Sequence, residues 1–219
     1  MSIKIKNELK EVIIYGGLTM VKQRLTVGTW GNISIRDTET GLIYISPSGI
    51  DYADIRVDDI VVLNSDMEVI DGKAVPSIEK GMHIAVYNAR KDVNTVIHTH
   101  PIYSSVLGVN HMELPGISED FVQIVGDKII CSKYALPGTS ELATNAVKAL
   151  GSRNAVILPN HGTLCVGKNL KDALKISYVV EKTAHVYIMA KSIGAPYLIS
   201  EHDIKVMQEF ARNHYGQRE

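Results

Sequence analysis

Cysteine is scarce in this chain. Of 219 residues two are cysteines, Cys131 and Cys165, far apart and each inside an apolar, strand-like run. That excludes a disulfide framework and reads as reduced thiols. No apolar run approaches the roughly 20 residues that cross a bilayer, so a membrane span is not expected. Neither charge sign dominates: 23 Lys and Arg stand against 24 Asp and Glu, for a net charge of −1. Without a Lys/Arg cluster, no nucleic-acid surface is expected either. Met1-Ser2-Ile3-Lys4-Ile5-Lys6-Asn7-Glu8 lacks the apolar stretch of a secretion signal, which makes the cytoplasm the expected location. Low-complexity linkers and repeats are also missing. What remains, 45% hydrophobic and 21% charged residues, is ordinary for a globular chain and reads as one domain over 1–219.

Periodicity places the elements. Leu9, Val12, Ile13, Gly16, Met20 and Val21 recur at helical spacing, predicting a first amphipathic helix within 6–25. Alternation over Asn32–Arg36, the turn Asp37-Thr38-Glu39-Thr40-Gly41 and the run Leu42–Ile45 predict a hairpin. Ile60–Leu63 and Glu68–Ile70 predict another strand pair. A helix opens at Pro76-Ser77, with Ser77 the expected N-cap and Glu79 in the first turn. Val93–His100 reads as a strand ended by Pro101 and followed by a short helix, and Lys128–Cys131 as a short strand. A helix from Pro137-Gly138-Thr139-Ser140 to Leu150, strands at Ala155–Leu158 and Thr163–Val166, and a long helix over Lys171–Ile193 complete a mixed α/β pattern.

The chemistry concentrates at His98-Thr99-His100, which ends the apolar run from Val93, and at His161 in Pro159-Asn160-His161-Gly162. A strand sends residues i and i+2 to one face, about 6.5–7 Å apart, so two imidazoles can converge on one ion. A third closes a facial three-histidine site with an open position for substrate, the arrangement of a catalytic metal. On its own, His-x-His is equally a polar edge strand. Glu79 can serve as a base beside such a metal or simply as a helix-dipole carboxylate. The loops Gly28-Thr29-Trp30-Gly31-Asn32 and Ser46-Pro47-Ser48-Gly49 can hold a phosphate or be ordinary turns.

In order, Gly28-Thr29-x-Gly31-Asn32-x-Ser34, Ser46-Pro47-Ser48-Gly49, Pro76-Ser77-x-Glu79, His98-Thr99-His100 and Asn160-His161-Gly162 resemble the class II aldolase family, which includes sugar-phosphate aldolases, pentulose-phosphate 4-epimerases and the adducin head domain. Gly138-Thr139 and the long last helix extend the resemblance over nearly the whole chain. It implies an α/β fold, a single domain with a central, mostly antiparallel sheet flanked by helices on both sides. It implies a homotetramer of C4 symmetry, with one divalent metal per subunit held by His98, His100 and His161. Zinc is the expected ion, with manganese or cobalt acceptable to imidazole ligands. Thr29, Asn32, Ser48, Gly49 and Ser77 correspond to the substrate's phosphate cradle and Glu79 to the catalytic acid/base. Tyr215 corresponds to a tail tyrosine that reaches the aldehyde, with a solvated tail residue the alternative reading.

The implied activity is that of a metal-dependent aldehyde-lyase. It would reversibly cleave a ketose 1-phosphate, fuculose 1-phosphate or a deoxyketose such as 5-deoxyribulose 1-phosphate, into dihydroxyacetone phosphate and an aldehyde. Alternatives on the same fold are the 4-epimerase, a methylthioribulose 1-phosphate dehydratase and the non-enzymatic adducin-type scaffold. Ile78 stands where the fuculose phosphate enzymes carry a second serine, Pro137 replaces an aromatic, and Ser118-Glu119-Asp120-Phe121 lies where another tyrosine is expected. Two of these departures fall on the aldehyde side, leaving Tyr215, Glu119 and Asp120 open as its partners. His83, His111, His185, His202 and His214 are read as structural, His83 and His185 in helices and the rest in loops or the tail. Glu181 is read either as a partner of a metal histidine or as a surface carboxylate paired with Lys182 or Lys175.

Overall fold

The structure, a computed structural model, describes residues 4–213. In chain order the first half comprises α1 (Asn7–Lys22), β1 (Asn32–Arg36), β2 (Ile43–Ile45), β3 (Val61–Leu63), β4 (Val69–Asp71), α2 (Lys80–Ala89) and β5 (Thr95–Thr99). The second comprises α3 (Ile102–Val109), β6 (Leu114–Pro115), α4 (Glu119–Ile124), β7 (Lys128–Ile129), α5 (Ser140–Leu150), β8 (Ala155–Leu158), β9 (Gly162–Gly167), α6 (Leu170–Ile193) and α7 (Glu201–Asn213). Seven strands form one sheet in the order β4-β3-β2-β1-β5-β9-β8, and each ladder in it is antiparallel. Among the described residues no helix is long and apolar enough to cross a membrane.

Period-two alternation sorts the strand residues between two faces, and both faces are apolar because helices cover both. Ile43, Ile45, Val61, Leu63, Val96, Leu164 and Val166 pack with Met82 and Val86 of α2 and Leu142 and Ala146 of α5. On the opposite face Ile33, Ile35, Tyr44, Val62 and Ile97 pack under Ile13 and Met20 of α1 and Ala173 of α6. Further along that face Ala155, Ile157 and Cys165 meet Leu107 of α3, Phe121 of α4 and Val180 of α6. The expected three-layer architecture is the one observed.

Several local expectations change. β5 is an interior strand between β1 and β9, not a polar edge. Glu79 takes the N-cap position of α2 without capping it, two residues later than expected, and the Ser77 hydroxyl accepts the Glu79 N–H at 3.3 Å. The carboxylate is engaged across the sheet instead, as described below. The 128–131 strand pairs as Lys128–Ile129 only, and Cys131 makes an isolated parallel bridge to Ile157. Helices α4 and α7 were not expected, and His202 lies in α7 rather than in a loop. Glu181 meets neither a metal histidine nor Lys182. It accepts the Tyr103 and Ser104 N–H groups at 2.8 and 2.9 Å and so anchors the start of α3, directly after His100-Pro101.

Candidate metal centre and substrate cavity

Strand register brings the site together. Asn32 opens β1 directly opposite His98 near the end of β5, and opposed residues share a face. Leu158 and Gly162 pair across a three-residue turn, Pro159-Asn160-His161, in which Asn160 adopts φ 54°, left-handed backbone that asparagine tolerates. A Cβ on Gly162 would lie 2.2 Å from the Thr99 carbonyl oxygen, so only glycine lets this turn close on β5. Gly31, at φ 75°, plays the same part for the Thr29 loop: a Cβ there would lie 2.7 Å from the His98 carbonyl.

The three histidines converge as their spacing suggested. Ring-centroid distances are 4.6 Å for His98–His100, 4.6 Å for His98–His161 and 5.0 Å for His100–His161. Each offers a ligand atom within 4.8 Å of the others. His98 Nδ1 donates to the Thr163 carbonyl at 2.9 Å, which leaves the Nε2 lone pair for the cluster. His98 Nε2 and His100 Nε2 stand 2.8 Å apart, an approach that two bare lone pairs tolerate only around a proton or a cation. Burial pushes His98 down to about 3, the adjacent His100 adding to the effect and the Thr163 carbonyl opposing it. Burial lowers His161 to about 4, with His98 next in effect, and lowers His100 against the opposing Glu79 charge. Neutral imidazoles are the form a metal requires. The donor set therefore fits a divalent cation.

Glu79 faces this cluster and is only 5% exposed. Oε2 accepts from Asn32 Nδ2 at 2.8 Å and lies 3.2 Å from His98 Nε2. Oε1 lies 3.4 Å from His161 Nε2 and is buried with no hydrogen-bond partner. An unpartnered buried carboxylate oxygen beside a metal-ligand set is placed to take or give a proton.

A cavity of about 440 Å³ opens over Glu79, His100 and His161. Thr29, Asn32, Ser48, Gly49 and Ser77 all line it, so the five residues expected around a phosphate share one wall. Among the described residues the lining holds no lysine or arginine. Trp30, Ile78 and Pro137 form an apolar rim. Tyr215 lies outside the described residues. Glu119 is exposed on α4, Asp120 pairs with Lys182, and neither lines this cavity in the chain. A larger cleft, about 570 Å³, runs between α4 and α7, but its Arg153 and Asp127 are paired with each other and no metal-ligand cluster borders it.

His83 lies in a helix, as expected. It is fully buried on α2 and bonds Asn32 Oδ1 through Nε2 at 2.6 Å and Ser34 Oγ through Nδ1 at 2.7 Å. A histidine four residues after Glu79, on the same helix face, is the one signal that pointed to it.

Residues 11–188 match the family described as Class II Aldolase and Adducin N-terminal domain. A 5-deoxy-D-ribulose 1-phosphate aldolase from Bacillus thuringiensis is 38% identical over 214 residues, covering 98% of this chain and 99% of that protein. An L-fuculose phosphate aldolase from Escherichia coli is 33% identical, covering 97% and 98%. The solved structure of an L-fuculose 1-phosphate aldolase superposes with a TM-score of 0.93 at 37% identity, covering 95% of this chain and 98% of that one.

Proposed function

The chain belongs to the family of class II aldolases and adducin N-terminal domains, and on that premise we propose that it is a metal-dependent aldolase acting on a deoxyketose 1-phosphate, reversibly forming dihydroxyacetone phosphate and a short aldehyde. One observation carries the reading: Glu79, with a free buried oxygen, borders the same cavity as both polar loops and as His100 and His161, which cluster with the buried His98. The intact ligand set weighs against a scaffold of the adducin type.

A divalent cation held by His98, His100 and His161, zinc foremost, supplies Lewis-acid stabilisation of the charge that develops on the substrate's keto oxygen. The chain's own groups do the rest. Thr29, Asn32, Ser48, Gly49 and Ser77 hold the phosphate, so binding energy remote from the breaking bond positions the ketose. In cleavage the C4 hydroxyl passes its proton to the Glu79 carboxylate as C4 becomes the aldehyde carbonyl, with Tyr215 assigned to that oxygen. The C3–C4 bond breaks, its electron pair stays on C3, and Glu79 returns a proton to C3 to complete dihydroxyacetone phosphate. The apolar rim at Trp30 and Pro137 suits a methyl-terminated aldehyde, and the higher identity to the 5-deoxy-D-ribulose 1-phosphate aldolase makes 5-deoxyribulose 1-phosphate the leading substrate and fuculose 1-phosphate the next. A cytoplasmic C4 homotetramer completes the proposal.

The test is condensation. Metal-loaded protein is incubated with dihydroxyacetone phosphate and, separately, acetaldehyde, lactaldehyde or glycolaldehyde. The expected result is a ketose 1-phosphate, formed fastest with acetaldehyde. No ketose phosphate from any aldehyde, or interconversion of pentulose 5-phosphates instead, overturns it.

A further inference from the structure

Behind the metal centre a file of buried polar groups crosses from α2 to β1 and back. Tyr87 OH lies 2.7 Å from Ser34 Oγ and donates to the Ser34 carbonyl at 2.9 Å. Ser34 Oγ meets His83 Nδ1 at 2.7 Å, His83 Nε2 meets Asn32 Oδ1 at 2.6 Å, and Asn32 Nδ2 meets Glu79 Oε2 at 2.8 Å. Tyr87, Ser34 and His83 are each essentially fully buried, and Asn32 and Glu79 are 5% exposed. Water does not compete for these partners.

The donors and acceptors allow one direction only. Glu79 Oε2 accepts from Asn32 Nδ2, so Asn32 Oδ1 is the atom that faces His83. Oδ1 cannot donate, which puts the single imidazole proton on Nε2 and leaves Nδ1 to accept the Ser34 hydroxyl hydrogen. The one Tyr87 hydroxyl hydrogen is then shared between Ser34 Oγ and the Ser34 carbonyl as a three-centre bond. Reversing any member leaves a buried donor facing a donor or an acceptor facing an acceptor, a costly arrangement away from water. Burial holds His83 in the neutral form this direction needs.

We propose that Tyr87, Ser34 and His83 fix the amide orientation of Asn32 and thereby divide the labour of the Glu79 carboxylate, Oε2 being held as an acceptor and Oε1 carrying the substrate proton. His83 is thus a positioning residue that acts through Asn32, and Asn32 keeps one amide hydrogen for the phosphate end. The clause about the substrate proton rests on the function proposed above; the hydrogen-bond direction does not.

Two measurements test it. In the holoprotein with nitrogen-15-labelled histidine, His83 is expected to show the neutral tautomer with hydrogen on Nε2; hydrogen on Nδ1 overturns the proposal. The second compares two variants. In His83→Gln a donor remains at the Nε2 position, whereas in His83→Asn only the Nδ1 position is reached. The Asn variant is expected to lose about 100-fold in kcat, the cost of misplacing a catalytic group. Its KM is expected to rise as well, because Asn32 also meets the phosphate, with metal content unchanged. His83→Gln is expected to recover most of the loss. Equal kcat in the two variants overturns the proposal. Should both variants fail to fold, the tautomer of the unmutated protein decides. Should the unmutated protein cleave no ketose phosphate, the proposed function fails while the tautomer still decides the hydrogen-bond direction.

Discussion

Glu79→Gln is the perturbation that best separates chemistry from folding. The substituted amide keeps the shape of the carboxylate, and its oxygen can still accept from Asn32 Nδ2, now at 2.8 Å from Oε2. Its NH2 then occupies the place of Oε1, 3.4 Å from His161 Nε2, where no existing hydrogen bond is lost. With the Asn32 contact kept, stability should change by no more than about 1 kcal/mol, the net worth of one neutral hydrogen bond. What disappears is the group that holds a proton, so kcat should fall by roughly 10²–10⁴-fold. Release of dihydroxyacetone phosphate from the ketose phosphate, followed by a coupled dehydrogenase, measures cleavage. Loss of the C3 hydrogen of dihydroxyacetone phosphate in heavy water measures the proton step without any aldehyde. Both should fall together while metal content and melting temperature hold. A variant that folds, keeps its metal and turns over within about tenfold of the unmutated enzyme, well short of a lost general base, would refute the assignment of Glu79.

Other outcomes follow from the same geometry. His98→Ala and His161→Ala should lose bound metal and activity together, as read by elemental analysis of the purified protein; a double variant that retains stoichiometric metal would defeat the ligand assignment. Ser77→Ala removes a neutral donor at the cavity wall, worth on the order of 1–3 kcal/mol, so KM for the phosphorylated ketose should rise about tenfold or more. The free ketose should be indifferent to that change. His83 is held at about 3 in the folded protein by burial. Its unfolded value, near 6.5, is higher, so the unfolded chain takes up the proton first as pH falls, and stability drops between about pH 6.5 and 3. At pH 5 the loss from this one imidazole is about 2 kcal/mol relative to neutral pH. Urea unfolding of His83→Gln should show a correspondingly flatter pH dependence, and an unchanged slope would contradict the buried neutral imidazole.

The features readable along the chain were those with a local period. Alternation placed β1, short apolar runs placed β2, β8 and β9, and helical spacing placed α1 and α6, because each pattern needs only its own neighbours. His98 and His100 were readable as a pair because two residues on one extended segment share a face. α7 was not read, since Ile204 and Met207 are a short stripe on an otherwise polar helix and gain meaning only against Phe121 and Val122. Ser77 was expected to cap α2, yet Glu79 occupies the cap because its carboxylate is held by Asn32, 47 residues earlier.

By itself, then, the sequence determined which residues could bind a metal, the layered α/β architecture and the polar loops, since hydrophobic period, ligand type and glycine placement are local properties. Tertiary structure alone decided how those residues cooperate. Pairing of Asn32 with His98 depends on the register of β1 against β5, and closure of His161 on the other two depends on Gly162 having no side chain against Thr99. The role of His83 depends on α2 lying over β1, which joins residues 51 positions apart. Hydrogen-bond direction in a buried network is a property of all its members at once, and no window along the chain contains them.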